Sequence, residues 1–490
     1  MPAQYIAALL WLKSHRRQNY AQYAPDVEDF AVRRLSLGAR LGTMPAEGAA
    51  SGGTMKNQIT KSVLLSGCAF AVLAFGLVEA KAGGLAIREQ SAYGQGSSFA
   101  GVAAGGSLSS MFWNPATMTQ AGGFASESSF AGIFPYAANS PTAGTLFALG
   151  GTSNTGDAAL VPASYTTWQF NPNMWLGISF NSPFGLSVNF PDLWAGRNYA
   201  QSSSLRTLSA TPSLAYRIND MISIGLGVQI QNAKADLNSG LLPAPGSHTN
   251  LSGSGWAYGA TAGITVTPGP NTTIGLGWRS ALNQKLSGTL ASSPILPGST
   301  LGSIDATLNL PDMLSLGVRH RLDPRWTLMG TVEWSRWSRI GTTAVLQPNG
   351  APATIAGTIV QLPFQYQDGW FYSVGAEYVV DQRTTLRAGI GYEISPITDR
   401  VRTPRLPDND RFWLSAGLSY AMMPNLTMDL AYSHIFVKNT PINITAASGN
   451  PWFSAGVDYV GNATSHVDIF SVAMKYRFSP EPVRPLIRKG

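Results

Sequence analysis

The sequence predicts an all-β chain, a fourteen-stranded antiparallel transmembrane β-barrel with an N-terminal hatch, or plug, in its lumen. Three observations carry that reading. Of the 490 residues only 12% are Asp, Glu, Lys or Arg, about half of the roughly 25% usual in a soluble domain. Long segments alternate apolar residues with polar residues or glycine at a period of two, the spacing of a strand with two different faces. The connections between those segments alternate between short and long, as in outer-membrane barrels.

Other classes fall away on composition. A spanning helix needs roughly 20 consecutive apolar residues; none follows residue 82, and the mean hydropathy is +0.03. Aromatic and β-branched residues recur throughout, which excludes collagen-like and disordered chains. The net charge of +7 does not point to nucleic acid: residues 1–82 hold nine Lys or Arg and five Asp or Glu, leaving 24 against 21, a net of +3, in residues 83–490. One cysteine, Cys68, gives no disulfide or thiolate metal site. The five histidines lack ligand spacing, so neither metal nor cofactor is expected.

From the N-terminus, Met55 opens a tripartite targeting pattern. Lys56 and Lys61 are followed by an apolar run from Val63 to Val78 and by Ala80-Lys81-Ala82. This is the build of a signal peptide over 55–82 with cleavage after Ala82, so 1–54 reads as an upstream extension. Residues 83–123, rich in Gly, Ala and Ser, are too poor in apolar side chains to fold alone. They are expected to form the hatch.

The barrel is expected over 124–478. Ile222, Ile224, Leu226, Val228 and Ile230 alternate with Ser223, Gly225, Gly227, Gln229 and Gln231. The same period marks strands near 124–135, 160–170, 174–184, 205–217, 222–236, 253–267, 271–289, 305–322, 326–340, 365–380, 384–394, 411–421, 425–437 and 466–478. Tight turns such as Asn171-Pro172-Asn173, Asn219-Asp220 and Asp323-Pro324 stand on one side and long loops on the other. Closure is required because an open edge in lipid leaves backbone groups unpaired, and so wide a barrel leaves a lumen that the hatch must fill. The final strand sets Phe470, Val472, Met474, Tyr476 and Phe478 on one face, and 479–490 is a tail. Trp326, Trp334, Tyr420 and Tyr432 read as interfacial girdle.

Several stretches carry a family resemblance. Met111-Phe112-Trp113 before Asn114-Pro115-Ala116, Phe99-Ala100-Gly101, Pro183-Phe184-Gly185-Leu186, Gly277-Trp278-Arg279-Ser280 and Arg402 to Arg411 resemble the FadL-type outer-membrane long-chain fatty acid transport family, and the likeness covers residues 83–478. It implies a monomer in the outer membrane of a Gram-negative bacterium, seated in outer-membrane lipid. The terminal aromatic strand is similar to those that the barrel-assembly machinery recognises. The resemblance further implies passive import of long-chain fatty acids or similar hydrophobic molecules. Capture would occur between the third and fourth extracellular loops, transfer to an inner site at the hatch, and exit sideways at a kink in the third strand.

Carried onto this chain, the capture groove falls on Leu237, Leu241 and Leu242 in one loop and Ile295, Leu296 and Leu301 in the other, apolar side chains unusual for solvated loops. The alternative is that they only pack the loops together. The gate falls on Asn114, Pro115 and Ala116, expected to meet the third-strand kink at Phe184 and Gly185; the plainer reading is a turn and a strand end. For the inner site, Leu85, Ile87 and Phe112 would line the walls, and Arg88, Arg279 or Lys285 would meet a head group. Those cations could equally pair with inward Glu333, Glu377 or Glu393.

Three rival functions remain. An aromatic-hydrocarbon or alkane channel of the same fold is the first. A general porin would show a charged constriction and no hatch. An enzyme is disfavoured, because Ser433 and His434, the one tempting pair, are adjacent on a strand and point to opposite faces.

Overall fold

The computed structural model describes residues 84–241, 244–453 and 456–478. The expected extension, signal peptide and C-terminal tail, and Leu242 of the expected groove, lie outside the described residues.

Among the described residues, fourteen strands run in chain order around one wall. They are β1 Phe124–Gly144, β2 Ala159–Asn171, β3 Met174–Asn181 resumed as Gly185–Asn189, β4 Ser202–Arg217 and β5 Ile222–Gly240. Next come β6 His248–Gly269, β7 Thr272–Arg279 with Leu282–Ser293, β8 Gly302–Leu310 with Met313–Arg321, and β9 Trp326–Ser335 with Thr342–Leu346. The wall ends with β10 Gln361–Pro363 with Gly369–Val379, β11 Thr384–Ile394, β12 Arg411–Met423, β13 Leu426–Val437 with Thr440–Ile444, and β14 Tyr459–Arg477. Every neighbouring pair is antiparallel, and β14 returns to β1 from Ala125↔Arg477 to Gly144↔Tyr459. The barrel is therefore closed.

The period of two sorts the two faces. Ile224, Leu226 and Val228 stand exposed on the outer wall, whereas Gln229 and Gln231 are buried within. Trp326, Tyr420 and Tyr432 are exposed on the outside as well. Strands reach further on the loop side than their hydropathy shows: β1 continues past residue 135 and β14 begins before 466. Pairing persists there after the outer face has ceased to be apolar.

Residues 84–123 fill the lumen with short turns: one helix, Ala92–Gln95, and 3-10 turns at Val102–Ala104, Leu108–Phe112 and Pro115–Gln120. Phe99, Trp113 and Met118 are fully buried beside Tyr165, Trp175, Phe371 and Trp413 of the wall. Each such side chain withdrawn from water stabilises by about 1.5–3 kcal/mol. The inward glycines give room for this. A Cβ on Gly277 would lie 1.9 Å from the Trp113 carbonyl oxygen, one on Gly389 2.2 Å from that of Ser97, and one on Gly225 2.4 Å from the Ala116 nitrogen. Hatch backbone thus packs directly on wall backbone, and hydrogen bonds such as Gly101 N to Thr331 Oγ1 (2.8 Å) and Ser98 Oγ to Ser415 Oγ (2.8 Å) fix its register.

Candidate functional site

The third strand is broken. Its pairing with β2 ends at Ser164↔Phe180, Ser182 and Pro183 lie outside the strand, and it resumes at Gly185 beside β4. Pro183 supplies no donor for the ladder at this point. The start of the hatch occupies the gap. Ile87 N donates to Pro183 O (2.9 Å), Gly185 N donates to Leu85 O (2.9 Å), and Ala86 pairs with Phe184 in an antiparallel bridge. The lack of a side chain at Gly185 matters, because a Cβ there would sit 2.6 Å from Ile87 Cδ1.

Beside this junction lies an apolar pocket that is partly open to solvent. The hatch contributes Leu85, the wall Leu186, Leu205, Leu237, Leu251, Leu286, Ile304, Leu308 and Leu362, and the loops Phe364, Tyr366, Ile397, Val401, Leu406 and Trp452. One cation, Arg405, is among the lining residues. It donates to Ser202 O (3.0 Å), Tyr199 O (2.9 Å), Asn238 O (3.0 Å), Ser239 Oγ (2.6 Å) and the Ser203 hydroxyl. All of these acceptors are neutral, and burial without an opposite charge pulls its pKa down to about 10.

The expected site residues divide into those the pocket gathers and those it does not. Leu85 and Leu237 line it, and Ile87, Phe184 and Gly185 form the junction next to it. Leu301 packs with Leu251 on the small cluster of Leu290, Ile304, Val345 and Ala353, which ties the two loops together. Leu241 and Leu296 are half-buried, and Ile295 projects with 74% of its surface exposed. None of these three lines the pocket.

The cations expected at a head group are elsewhere. Arg88 pairs with Glu333 (2.8 Å) and Glu393 (3.7 Å) and lies over the Phe371 ring. Arg279 stacks on Phe112 and donates to Phe112 O (3.0 Å) and Gln229 Oε1 (2.6 Å), which makes both residues hatch anchors. Lys285 is exposed: its strand neighbours Gln284 and Leu286 are buried on the inner face, so the alternation turns it outward. Glu377 holds Arg319 (2.5 Å) and Arg387 (2.7 Å).

Asn114-Pro115-Ala116 does not meet the β3 break. The Asn114 amide donates to Ala103 O (2.7 Å) and Ile264 O (2.9 Å), its side-chain oxygen accepts from Ala116 N (3.0 Å), and Pro115 opens the 3-10 turn. That cap pins the hatch against β5, β6 and β7, where Gly225, Gly263 and Gly277 leave it space. The residues that do close the break, Leu85 to Ile87, are legible in the sequence only as an apolar pair with no stated partner strand.

Comparison with known proteins decides the family. The description "Outer membrane protein transport protein (OMPP1/FadL/TodX)" matches residues 73–478. The chain belongs to this family. FadL-type relatives include the long-chain fatty acid transport protein of Salmonella typhi, 29% identical over 322 residues that cover 59% of this chain and 73% of that protein. Outer membrane protein P1 of Haemophilus influenzae is 26% identical over 356 residues, 65% of this chain and 75% of its own. Among solved structures, a Pseudomonas aeruginosa FadL homologue superimposes with a TM-score of 0.71 at 24% identity, covering 81% of this chain and all of that one. The Ralstonia pickettii toluene transporter TbuX gives 0.55 at 17% identity over 76% of this chain and 94% of its own. The chain is thus a FadL-type β-barrel of the outer membrane.

Proposed function

We propose that this protein imports long-chain fatty acids passively across the outer membrane. The ligand's alkyl chain lies in the pocket between Leu85, Leu186, Leu286 and Leu406, and its carboxylate is turned toward Arg405. The observation that carries this reading is that buried cation, which lines an otherwise apolar pocket and has no carboxylate among its own partners. A buried charge without a counter-ion is costly, and a fatty acid head group supplies one. Exit runs sideways at the β3 break once Leu85 to Ile87 withdraw. Leu85 is both pocket floor and gate, so occupancy and opening share a residue.

Initial capture by the loops at Leu237, Leu241 and Ile295 to Leu301 fits the exposed apolar tip at Ile295. A second reading, import of a neutral hydrocarbon, is favoured by the saturation of Arg405 with neutral acceptors and by the toluene transporter that shares the fold. Uptake of labelled oleate and of toluene by a transporter-deficient host expressing residues 55–490 separates the two. Oleate uptake supports the first, toluene uptake alone supports the second, and neither, with an assembled barrel, overturns both.

A further inference from the structure

Beside the β3 break the inner wall holds a row of polar atoms that the protein itself does not satisfy. Asn181, the last residue of β3 before the break, pairs with Ser209 of β4, and Ser209 pairs with Gln231 of β5. Their side chains share the inward face, where directly opposed Cβ atoms stand about 4.5–5.5 Å apart. Thr211 is the next inward residue of β4, and Ser182 lies in the break. All five residues are buried. Among the described residues Asn181 Oδ1, Ser182 Oγ, Ser209 Oγ, Thr211 Oγ1 and Gln231 Oε1 have no hydrogen-bond partner. The amide nitrogens are already engaged: Asn181 Nδ2 donates to the Tyr165 hydroxyl oxygen (2.8 Å) and Gln90 Oε1 (3.1 Å), and Gln231 Nε2 donates to Gln284 Oε1 (3.3 Å). What remains is a pair of amide oxygens that only accept and three hydroxyls that both donate and accept.

The chemistry of a guest follows from that inventory. A hydrocarbon leaves every one of these atoms unpaired, and an unpaired buried polar atom is costly. A carboxylate brings acceptors alone and gives the amide oxygens nothing. An ammonium donates but buries a charge, and Arg279, held on Gln229 one inward position from Gln231 (2.6 Å), repels it. That guanidinium is itself occupied by Gln229, the Phe112 carbonyl (3.0 Å) and the Phe112 ring. A hydroxyl meets both needs: its hydrogen goes to an amide oxygen, and its lone pairs accept from Ser209 or Thr211.

We propose that this row is a binding subsite for the hydroxyl of a long-chain primary alcohol, which makes such alcohols a further class of ligand. The alkyl chain has apolar wall to lie on. Leu205 lines the pocket and stands four residues before Ser209 on the same face of β4, about 13 Å away, within the span of a long alkyl chain. The subsite rests on the proposed passage of alkyl ligands from that pocket past the β3 break, and not on the charge of their head group.

The test offers labelled hexadecanol, palmitate and hexadecane to a transporter-deficient host expressing residues 55–490, with the uptake of vector-only cells subtracted. The parent should take up hexadecanol. Ser209→Ala with Thr211→Val should cut that uptake by roughly fivefold and leave hexadecane unchanged. The purified variant without ligand should melt no lower than the parent, since these hydroxyls bond to nothing in the wall, and hexadecanol should raise the melting temperature of the parent but not of the variant. If the pair of substitutions does not assemble, Ser209→Ala alone carries the measurement. Ala86 and Phe184 form a non-hydrogen-bonded antiparallel pair, with Cα atoms about 4.5 Å apart, within disulfide reach. In a Cys68→Ser background, oxidation of Ala86→Cys with Phe184→Cys should stop hexadecanol uptake, and uptake that persists overturns the placement at the break. Hexadecanol uptake and melting shift both unchanged in an assembled variant overturn the subsite, as does a variant that loses all three ligands alike. A hydroxyl-dependent melting shift in a parent that does not import palmitate supports the subsite and counts against the fatty acid reading.

Discussion

Ala86 of the hatch stands opposite Phe184 in an antiparallel bridge, so that one pair of residues closes the gap left in the third strand. The wall of a transmembrane barrel must satisfy its own backbone groups. Here, at the break, the hatch satisfies some of them: the Pro183 carbonyl and the Gly185 N–H are paired with Ile87 and Leu85. Withdrawal of three residues would therefore open the wall while leaving the body of the hatch in place, held by Asn114, Arg279 and Arg88.

The head-group reading makes Arg405 selective. Arg405→Met should weaken oleate binding by roughly tenfold or more, since a hydrogen bond to a charged group contributes about 1.5–3 kcal/mol, and should leave toluene uptake unchanged. Equal loss of both substrates would show that Arg405 only joins Ser202 and Ser203 to Ser239. Competition binding to detergent-solubilised protein gives the oleate term directly.

The inward glycines are spacers, and the outward ones are not. Gly277→Ala places a Cβ 1.9 Å from Trp113 O, whereas Gly330→Ala meets nothing nearer than Ser373 O at 3.8 Å. Overpacking of this kind costs about 1–3 kcal/mol. The Gly277 variant should melt earlier and admit large polar antibiotics through a displaced hatch, and the Gly330 variant should match the parent in both assays.

Glu89 of the hatch should make stability fall with rising pH. Burial is the main cause that raises its pKa from 4.5 to about 7, with Glu393 of β11 adding to it and Arg88 of the hatch and Arg411 of β12 opposing. Between those two values the folded state binds the proton more tightly than the unfolded chain, so stability is greatest below the lower value and declines up to the upper one. Melting in detergent should be lower at pH 8 than at pH 5, and Glu89→Gln should flatten the difference. A parent whose melting does not change over that range would contradict this assignment.

The sequence carries the wall better than the site. Strands such as Ile222–Gly240 announce themselves because lipid demands an apolar residue at every second position, and the turns at Asn171-Pro172-Asn173 and Asn219-Asp220 punctuate them. Once a strand rises beyond the lipid that demand lapses, so Thr342–Leu346 and Gln361–Pro363 lie hidden in a stretch whose sequence reads as loop. The pocket is harder to see because its lining comes from many distant segments. A usable signal exists all the same: Leu205, Leu286 and Leu308 are leucines on the inward face of their strands, a face on which β5 carries Gln229 and Gln231. Asn114-Pro115-Ala116 stands out as a motif for a local reason, the cap of a 3-10 turn, and its partner strands cannot be read from it.

The most direct test of the account is oleate uptake by cells carrying the Ala86→Cys and Phe184→Cys pair in the Cys68→Ser background. If the ligand leaves through the β3 break, oxidation should abolish uptake and a reductant should restore it, with the barrel equally abundant in both states. Full uptake with the disulfide formed would contradict exit at this point and leave the hatch N-terminus without a role in transport.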